Sequence, residues 1–339
     1  MSVRMASELL HRGHDVQILY RKDCFSFKTA ARYLFRRVAA VTQKDWLDRF
    51  EGKFASFKVL DAKLVGDGDV VMSVGPDCVK EMLNLPEKCG AKIFNVHGLT
   101  LRNPELRRTS WSEDIPKIAV SSYVGMELIK AGDNNVVAVV PNGIDISEYF
   151  PDGDHVERTG IGTVFGPGVA KDPETIISVF ARLHELRPQI PLLCFGVWPR
   201  PEKLLSAVQY YRLPSVEQTR GIYSRCSVWF CASRSEGFGM PVLEAMACGC
   251  AVVTTDCGGP GDFVKSGING VMVRKESPEE IIESILEISD DRVKQIRLAT
   301  SALETVQTLS WSNAAQKMEA AMETVVSGRW RDKIPLALK

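Results

Sequence analysis

Short apolar runs rich in β-branched residues alternate with helix-period segments along the whole chain, and this alternation constrains the fold more than any other feature of the sequence. In the first half the strand-like runs are Val16–Tyr20, Val70–Val74, Lys92–Val96, Lys117–Val120 and Val136–Val140, each bounded by Gly, Pro, Asp or Asn. Helical periods separate several of them, at Val79–Leu83 and Tyr123–Ala131. The second half repeats the scheme with Gly162–Phe165, Leu192–Phe195, Val228–Ala232, Ala251–Thr254 and Gly270–Val273. Helices there open on Asp172-Pro173 and Ser277-Pro278, a capping residue followed by the proline that suits a first helical position. Nearly continuous apolar strands are buried on both faces, so they belong to parallel sheets covered by helices on either side. The expected fold class is α/β, with two Rossmann-like, doubly wound domains.

The chain has 339 residues, about twice the usual size of one domain. The densest turn and linker composition runs from Pro141-Asn142-Gly143-Ile144-Asp145 to Tyr149-Phe150-Pro151-Asp152-Gly153-Asp154. It predicts an N-terminal domain over residues 1–152, a C-terminal domain over 153–312, and a closing helix and tail over 313–339. Ligands of open α/β sheets bind beyond the carboxyl ends of the strands, so two such domains would face each other across a cleft. The 42 basic and 42 acidic residues balance, which argues against nucleic acid as a partner. Nine cysteines occur without a Cys-x-x-Cys pair and several sit in apolar runs, the pattern of buried reduced thiols rather than a disulfide framework or zinc site. With neither a secretory signal nor an apolar run near 18 residues, the expected location is cytoplasmic.

Residues 228–273 carry the chemistry. After the strand ending at Ala232 come Ser233-Arg234-Ser235-Glu236-Gly237-Phe238-Gly239, and Pro241 opens a helix that ends at Cys248 with Gly249 as its cap. A glycine turn feeding a helix start presents free amides to an anion, here read as a diphosphate. Two carboxylates bracket it, Glu236 before the turn and Glu244 in the first two helical turns. Carboxylates repel phosphate, so both are read as acceptors for sugar hydroxyls. Taken singly, Glu236 is an ordinary loop residue and Glu244 a helix-start Glu favoured by the dipole; it is the joint pattern that points to a sugar nucleotide.

Glu236 to Gly249 resembles the Glu-x7-Glu motif of glycosyltransferase family 4, retaining enzymes of the two-Rossmann GT-B fold. The resemblance extends through Ala251-Val252-Val253-Thr254-Thr255-Asp256-Cys257-Gly258-Gly259 and Gly267-Ile268-Asn269-Gly270, and back to Pro141-Asn142-Gly143-Ile144-Asp145. It implies that Glu244 holds the nucleotide ribose and that Glu236 contacts the donor sugar near the reacting carbon. It implies that Gly237, Phe238, Gly239, Met240, Pro241 and Val242 line the diphosphate and sugar, with Gly166 also at the donor. Lys171, in Ala170-Lys171-Asp172-Pro173, matches the family's phosphate-binding Lys. His97, immediately after the strand Phe94–Val96, matches a His beside the donor sugar. Ser121, after the strand Ile118–Val120, fits the family too, and an N-cap role accounts for it equally well. Neither metal nor cofactor is expected, because helix N-termini and Lys171 would neutralise the leaving diphosphate.

The chain departs from the family in two places. The stretch Thr163–Ala170 lacks the Arg that usually accompanies the Lys, leaving Arg158 and Arg200 as weak substitutes; a charged hydrogen bond is typically worth about 1.5–3 kcal/mol. The family also opens with a strand and a Gly-Gly loop before the helix and the Gly-His-x-Val strand. Here only the last two are present, as Met5–His11 and Gly13-His14-Asp15-Val16, so the N-terminal domain is expected to lack its first strand. The function expected is transfer of a sugar from a nucleotide diphosphate sugar to a glycan or lipid-linked acceptor. The alternatives are a catalytically impaired nucleotide-sugar-binding protein and, less favoured, a GT-B sugar-nucleotide epimerase. Residues 25–37 mix aromatics with cations and read either as a solvated basic helix or as a weak peripheral contact with the inner face of the membrane. Asp67-Gly68-Asp69 mimics a metal motif but reads as a turn before a strand.

Overall fold

The computed structural model describes residues 2–21, 50–98, 111–153 and 158–332. Every ladder in it is parallel. The chain enters through helix α1 (Ser2–His11), turns on Gly13 with φ 95°, and forms β1 (Gln17–Arg21) and β2 (Lys53–Phe57). There follow α2 (Ala62–Val65), β3 (Val70–Ser73), α3 (Val79–Leu83), β4 (Ala91–Val96), β5 (Lys117–Ala119), α4 (Ser122–Lys130) and β6 (Val136–Val139). The described N-terminal strands form two sheets. Among the described residues β1 and β2 pair only with each other, while β3-β4-β5-β6 form a separate four-stranded sheet. Among the described residues no ladder joins β1 to β3. Instead the end of β1 is tied across by Arg21, which pairs with Glu81 at 2.6 Å.

The C-terminal domain is a single six-stranded sheet in the order β12-β11-β10-β7-β8-β9. Its strands are β7 (Gly160–Phe165), β8 (Leu192–Gly196), β9 (Gln209–Arg212), β10 (Cys226–Cys231), β11 (Ala251–Thr255) and β12 (Val271–Val273). The helices are α5 (Pro173–Leu186), α6 (Val216–Arg225), α7 (Met240–Ala247), α8 (Pro278–Asp290), α9 (Arg292–Gln307) and α10 (Trp311–Val326). The order reverses between β7 and β10, because the chain winds outward from β7 to β9 and then returns to the other flank of β7. The loops leaving the carboxyl ends of β7 and β10 therefore diverge, and the crevice between them is where ligands of such sheets bind.

Two strands escaped the sequence reading. β2, Lys-Phe-Ala-Ser-Phe, lacks a β-branched run and is half exposed. β9, Gln-Tyr-Tyr-Arg, is an edge strand whose exposed ends read as loop. The Asp172 cap stands as expected, although it adopts φ 48°. Helix α7 begins one residue before Pro241, with Gly239 at its N-cap and Cys248 at its C-cap; Gly249 follows at φ 78°.

α10 returns to the first domain. Its apolar face, Ala315, Met318, Ala321 and Val325, shares a core with Leu9, Ile93, Ile118 and Val137. Glu319 accepts hydrogen bonds from Arg12 at 2.7 and 2.8 Å. The crossing is fixed at the linker, where Ile144 N–H donates to Leu309 O at 2.8 Å. Gly143 sits so close that a Cβ there would lie 2.2 Å from the Trp311 amide nitrogen. Only glycine permits that approach of two backbones. Among the described residues no helix is long and apolar enough to cross a membrane, and the basic-aromatic segment 25–37 lies outside the described residues.

Candidate active site

Three short loops converge where the two sheets face each other. The first leaves β7 through Gly166-Pro167-Gly168 and makes a 3-10 turn over Val169–Lys171. Gly166 packs beneath Lys171: a Cβ there would stand 3.0 Å from the lysine Cγ, so the glycine makes room for the side chain's stem. The second leaves β10 and carries Ser233 to Glu236. It is stitched to the first by Arg234 N–H on Ala170 O at 2.8 Å and by the Arg234–Asp172 ion pair at 3.1 Å. It is stitched to the loop after β11 by Glu236 N–H on Cys257 O at 2.8 Å and Gly259 N–H on Glu236 O at 2.9 Å. The third follows β4 and carries His97.

The second loop delivers Glu236 to Lys171. The ammonium meets Glu236 Oε1 at 2.5 Å, and Ser233 donates its hydroxyl to the same oxygen at 2.7 Å. Burial alone would lower the lysine pKa, but the adjacent Glu236 charge and its hydrogen bond more than offset this and hold it above the ordinary value. The pair borders a cavity of about 360 Å³ that also takes in His97, Trp111, Gly237 and the apolar side chains of Val74, Phe94 and Val96. Burial pushes the His97 imidazole down to about 4, so it is neutral at physiological pH. Its Nε2 is buried without a hydrogen-bond partner among the described residues. A neutral ring nitrogen of that kind can serve a sugar hydroxyl as donor or acceptor.

The domains meet through backbone at this point. Ser121 caps α4, accepting from Val124 N–H at 3.1 Å, and also donates its hydroxyl to Gly237 O at 2.6 Å across the cleft. Ser122 N–H donates to Asp262 at 2.8 Å. The N-cap reading of Ser121 holds, and the cross-domain bond is an addition that the sequence could not show.

Helix α7 points its start toward the same region. Among the described residues no backbone acceptor engages the amides of Phe238, Gly239 or Met240, and Pro241 has none to offer. Phe238 itself is buried, its ring 5.2 Å from Phe263. Val242 differs from expectation: its side chain is buried in the core and its N–H is spent on Gly239 O at 3.0 Å, so it has no group left for a donor. The two arginines considered as substitutes for the missing clamp are likewise engaged elsewhere. Arg158 binds Cys248 O at 2.6 Å, and Arg200 binds the carbonyls of Val208 and Leu205. Asp67 of the metal-like motif pairs with Lys88 at 3.0 Å.

Glu244 lies outside the cavity lining, in the second turn of α7. Its Oε2 accepts the Tyr223 hydroxyl at 2.9 Å. Burial raises its pKa from 4.5 to about 7, against the opposing effect of that hydrogen bond. A carboxyl whose folded pKa is raised adds stability that is complete below its unfolded value and is lost as the pH climbs through the folded one. At about 1.36 kcal/mol per pKa unit, the ionised side chain costs the ligand-free protein on the order of 3 kcal/mol above pH 7. Glu244→Gln is therefore expected to melt higher than wild type at pH 8, with the gap closing by pH 5. Melting curves at the two pH values test this, and a gap independent of pH would refute it.

Residues 168–305 match the model of the family described as glycosyl transferases group 1, a segment that holds Lys171, Glu236 and Glu244. An uncharacterized glycosyltransferase of Methanocaldococcus jannaschii is 26% identical over 280 residues, 75% of this chain and 77% of that one. A D-inositol 3-phosphate glycosyltransferase of Stackebrandtia nassauensis is 26% identical over 70% of this chain and 62% of its own. An alpha-maltose-1-phosphate synthase of Mycobacterium tuberculosis is 28% identical over 59% and 60%. Among solved structures, the sucrose-phosphate synthase of Thermosynechococcus elongatus superposes with a TM-score of 0.71 at 15% identity, over 96% of this chain and 92% of that one. Anabaena HepE in complex with UDP superposes with a TM-score of 0.72 at 15% identity, over 92% and 100%. At these identities the structures bear on the fold alone, and they share the GT-B arrangement of two Rossmann-like domains. The second domain is thus a glycosyltransferase domain by its sequence.

Proposed function

We propose that this glycosyltransferase moves a sugar, with retention of anomeric configuration, from a nucleotide diphosphate sugar to a glycan or lipid-linked acceptor. The observation that carries the reading is the Lys171–Glu236 pair at 2.5 Å beside His97, on the loops of the strand-order switch. A cation fixed next to the free amides at the start of α7 suits a leaving diphosphate, whose charge grows as the glycosidic bond breaks. Glu236 and neutral His97 suit the hydroxyls of a sugar held at that bond. When a donor enters, Lys171 would exchange its carboxylate partner for phosphate oxygens, and Glu236 would be released to the sugar. A diphosphate-linked donor is also in line with the similar fold of HepE, which was solved with UDP and with UDP-glucose. A contact with membrane through residues 25–37 belongs to the same proposal, on charge and aromatic content alone.

The test is to incubate the purified chain with UDP-, GDP-, ADP- and dTDP-sugars and measure release of the nucleoside diphosphate, with and without candidate glycan acceptors. Product carrying the donor's anomeric configuration by NMR supports the reading. Binding without turnover would favour the non-catalytic alternative, and a changed sugar on the nucleotide without acceptor would favour an epimerase.

A further inference from the structure

The Tyr223 phenol donates a hydrogen bond to the Glu244 carboxylate at 2.9 Å, and it is fully buried. It projects from α6, whose start is locked by a reciprocal capping box between Ser215 and Gln218. Its ring is enclosed by Trp229 at 4.4 Å, Phe195 at 5.7 Å and Tyr149 at 6.3 Å, all in edge-on or tilted contact. Its backbone carbonyl accepts the Cys250 thiol at 3.2 Å. A phenol gripped on this many sides has a single orientation. No comparable burial is needed for packing alone: a phenylalanine would fill the same space, whereas the hydroxyl is aimed at one carboxylate oxygen.

We propose that Tyr223 is a positioning residue for the donor nucleotide, holding Oε2 of Glu244 so that Oε1 is presented to the ribose hydroxyls. The inference rests on the donor reading given above. A carboxylate that must accept two hydroxyls from a ribose has to keep both its plane and its charge in a buried place. Tyr223 secures the plane by a bond from a rigid donor. It also supports the charge, because a hydroxyl donated to the ionised form favours that form over the protonated one. The other groups facing Glu244 act on its charge without fixing its orientation. Glu148 of the linker opposes ionisation and Lys171 favours it, while the Tyr149 phenol and the Cys248 thiol both lie close enough to feel the carboxylate. Burial holds the Tyr149 and Tyr223 phenols well above their ordinary range, so both stay protonated and able to donate. Arg4 from α1 neutralises Glu148 and pairs with Asp145 at 3.1 Å, which limits the linker's repulsion of Glu244.

The experiment is isothermal titration of UDP, GDP and ADP into the full chain, wild type and Tyr223→Phe, between pH 6 and pH 9. For the diphosphate that binds tightest, Tyr223→Phe is expected to weaken binding about tenfold near pH 7, the loss of roughly one charge-assisted hydrogen bond. The deficit should shrink toward pH 9, where Glu244 ionises without help; the nucleotide's own phosphate titration is common to both proteins and drops out of the comparison. In the Glu244→Gln background, where there is no charge to support, Tyr223→Phe should change the Kd less than twofold. A tenfold loss that is the same at every pH and persists in Glu244→Gln would mark a merely structural tyrosine and overturn the proposal, as would unchanged binding. If the wild-type chain binds none of the three nucleotides, the donor reading itself falls; if it binds one and Tyr223→Phe is indistinguishable from it, only the positioning role does.

Discussion

Glu236→Gln is expected to lower kcat by about 10²–10³-fold while leaving the Kd for the nucleoside diphosphate within a few-fold of wild type. The glutamine keeps an oxygen for Ser233 and loses the charge that holds Lys171. In the free protein that charge lies 2.5 Å from the ammonium and organises the loops after β7 and β10. In the proposed reaction it also faces the developing positive charge on the sugar, where removal of one preorganised electrostatic group typically costs two to three orders of magnitude in rate. Binding of the diphosphate draws on Lys171, the α7 amides and Glu244, none of which the substitution removes. Steady-state kinetics beside calorimetry separate the two quantities. A parallel loss of kcat and binding would place Glu236 in nucleotide recognition and remove it from the chemistry.

The second large effect is expected at Gly237. A Cβ on this residue would stand 2.0 Å from the backbone oxygen of His97, in the opposite domain, and 3.1 Å from Gly98 Cα. Backbone cannot yield as a side-chain tip can, so Gly237→Ala forces the loop after β4 and the loop after β10 apart. The Ser121 hydroxyl bond to Gly237 O at 2.6 Å is broken in the process. Displacing catalytic groups by about 1 Å commonly costs on the order of 10²-fold in rate, and overpacking of this kind about 1–3 kcal/mol in stability. The expected result is kcat/KM reduced about 100-fold with a melting temperature only a few degrees lower. The control is Gly221→Ala, an open position on helix α6 where an added Cβ meets nothing within 4 Å. Wild-type kcat/KM in Gly237→Ala would show that the domains do not work in contact at this point.

The site was legible in sequence as far as covalent neighbours reach. Lys171, Glu236, Gly237 and His97, drawn from three separate loops, do line one cavity. Each follows a strong strand pattern at its carboxyl end, which is the position an open parallel sheet exposes. Val242 misled because motif membership does not say which way a helical residue turns; the third residue of α7 faces the core, and the helix's own first turn takes its amide. Arg158 and Arg200 were arithmetic candidates for a missing charge, yet each serves backbone carbonyls in its own neighbourhood. β2 and β9 were missed because edge strands carry little apolar signal.

By itself the sequence determined the α/β plan of two Rossmann-like domains and the residue types at the ends of the central strands, since these follow from hydrophobic periodicity and turn chemistry over a few residues. Only the tertiary structure decided that β1 and β2 stand apart from the sheet of β3 to β6, that α10 returns to cover the first domain, that Ser121 reaches Gly237 across the cleft, and that Tyr223 holds Glu244. Each of these joins residues distant along the chain. Their pairing depends on how whole elements pack in space, and no local pattern records it.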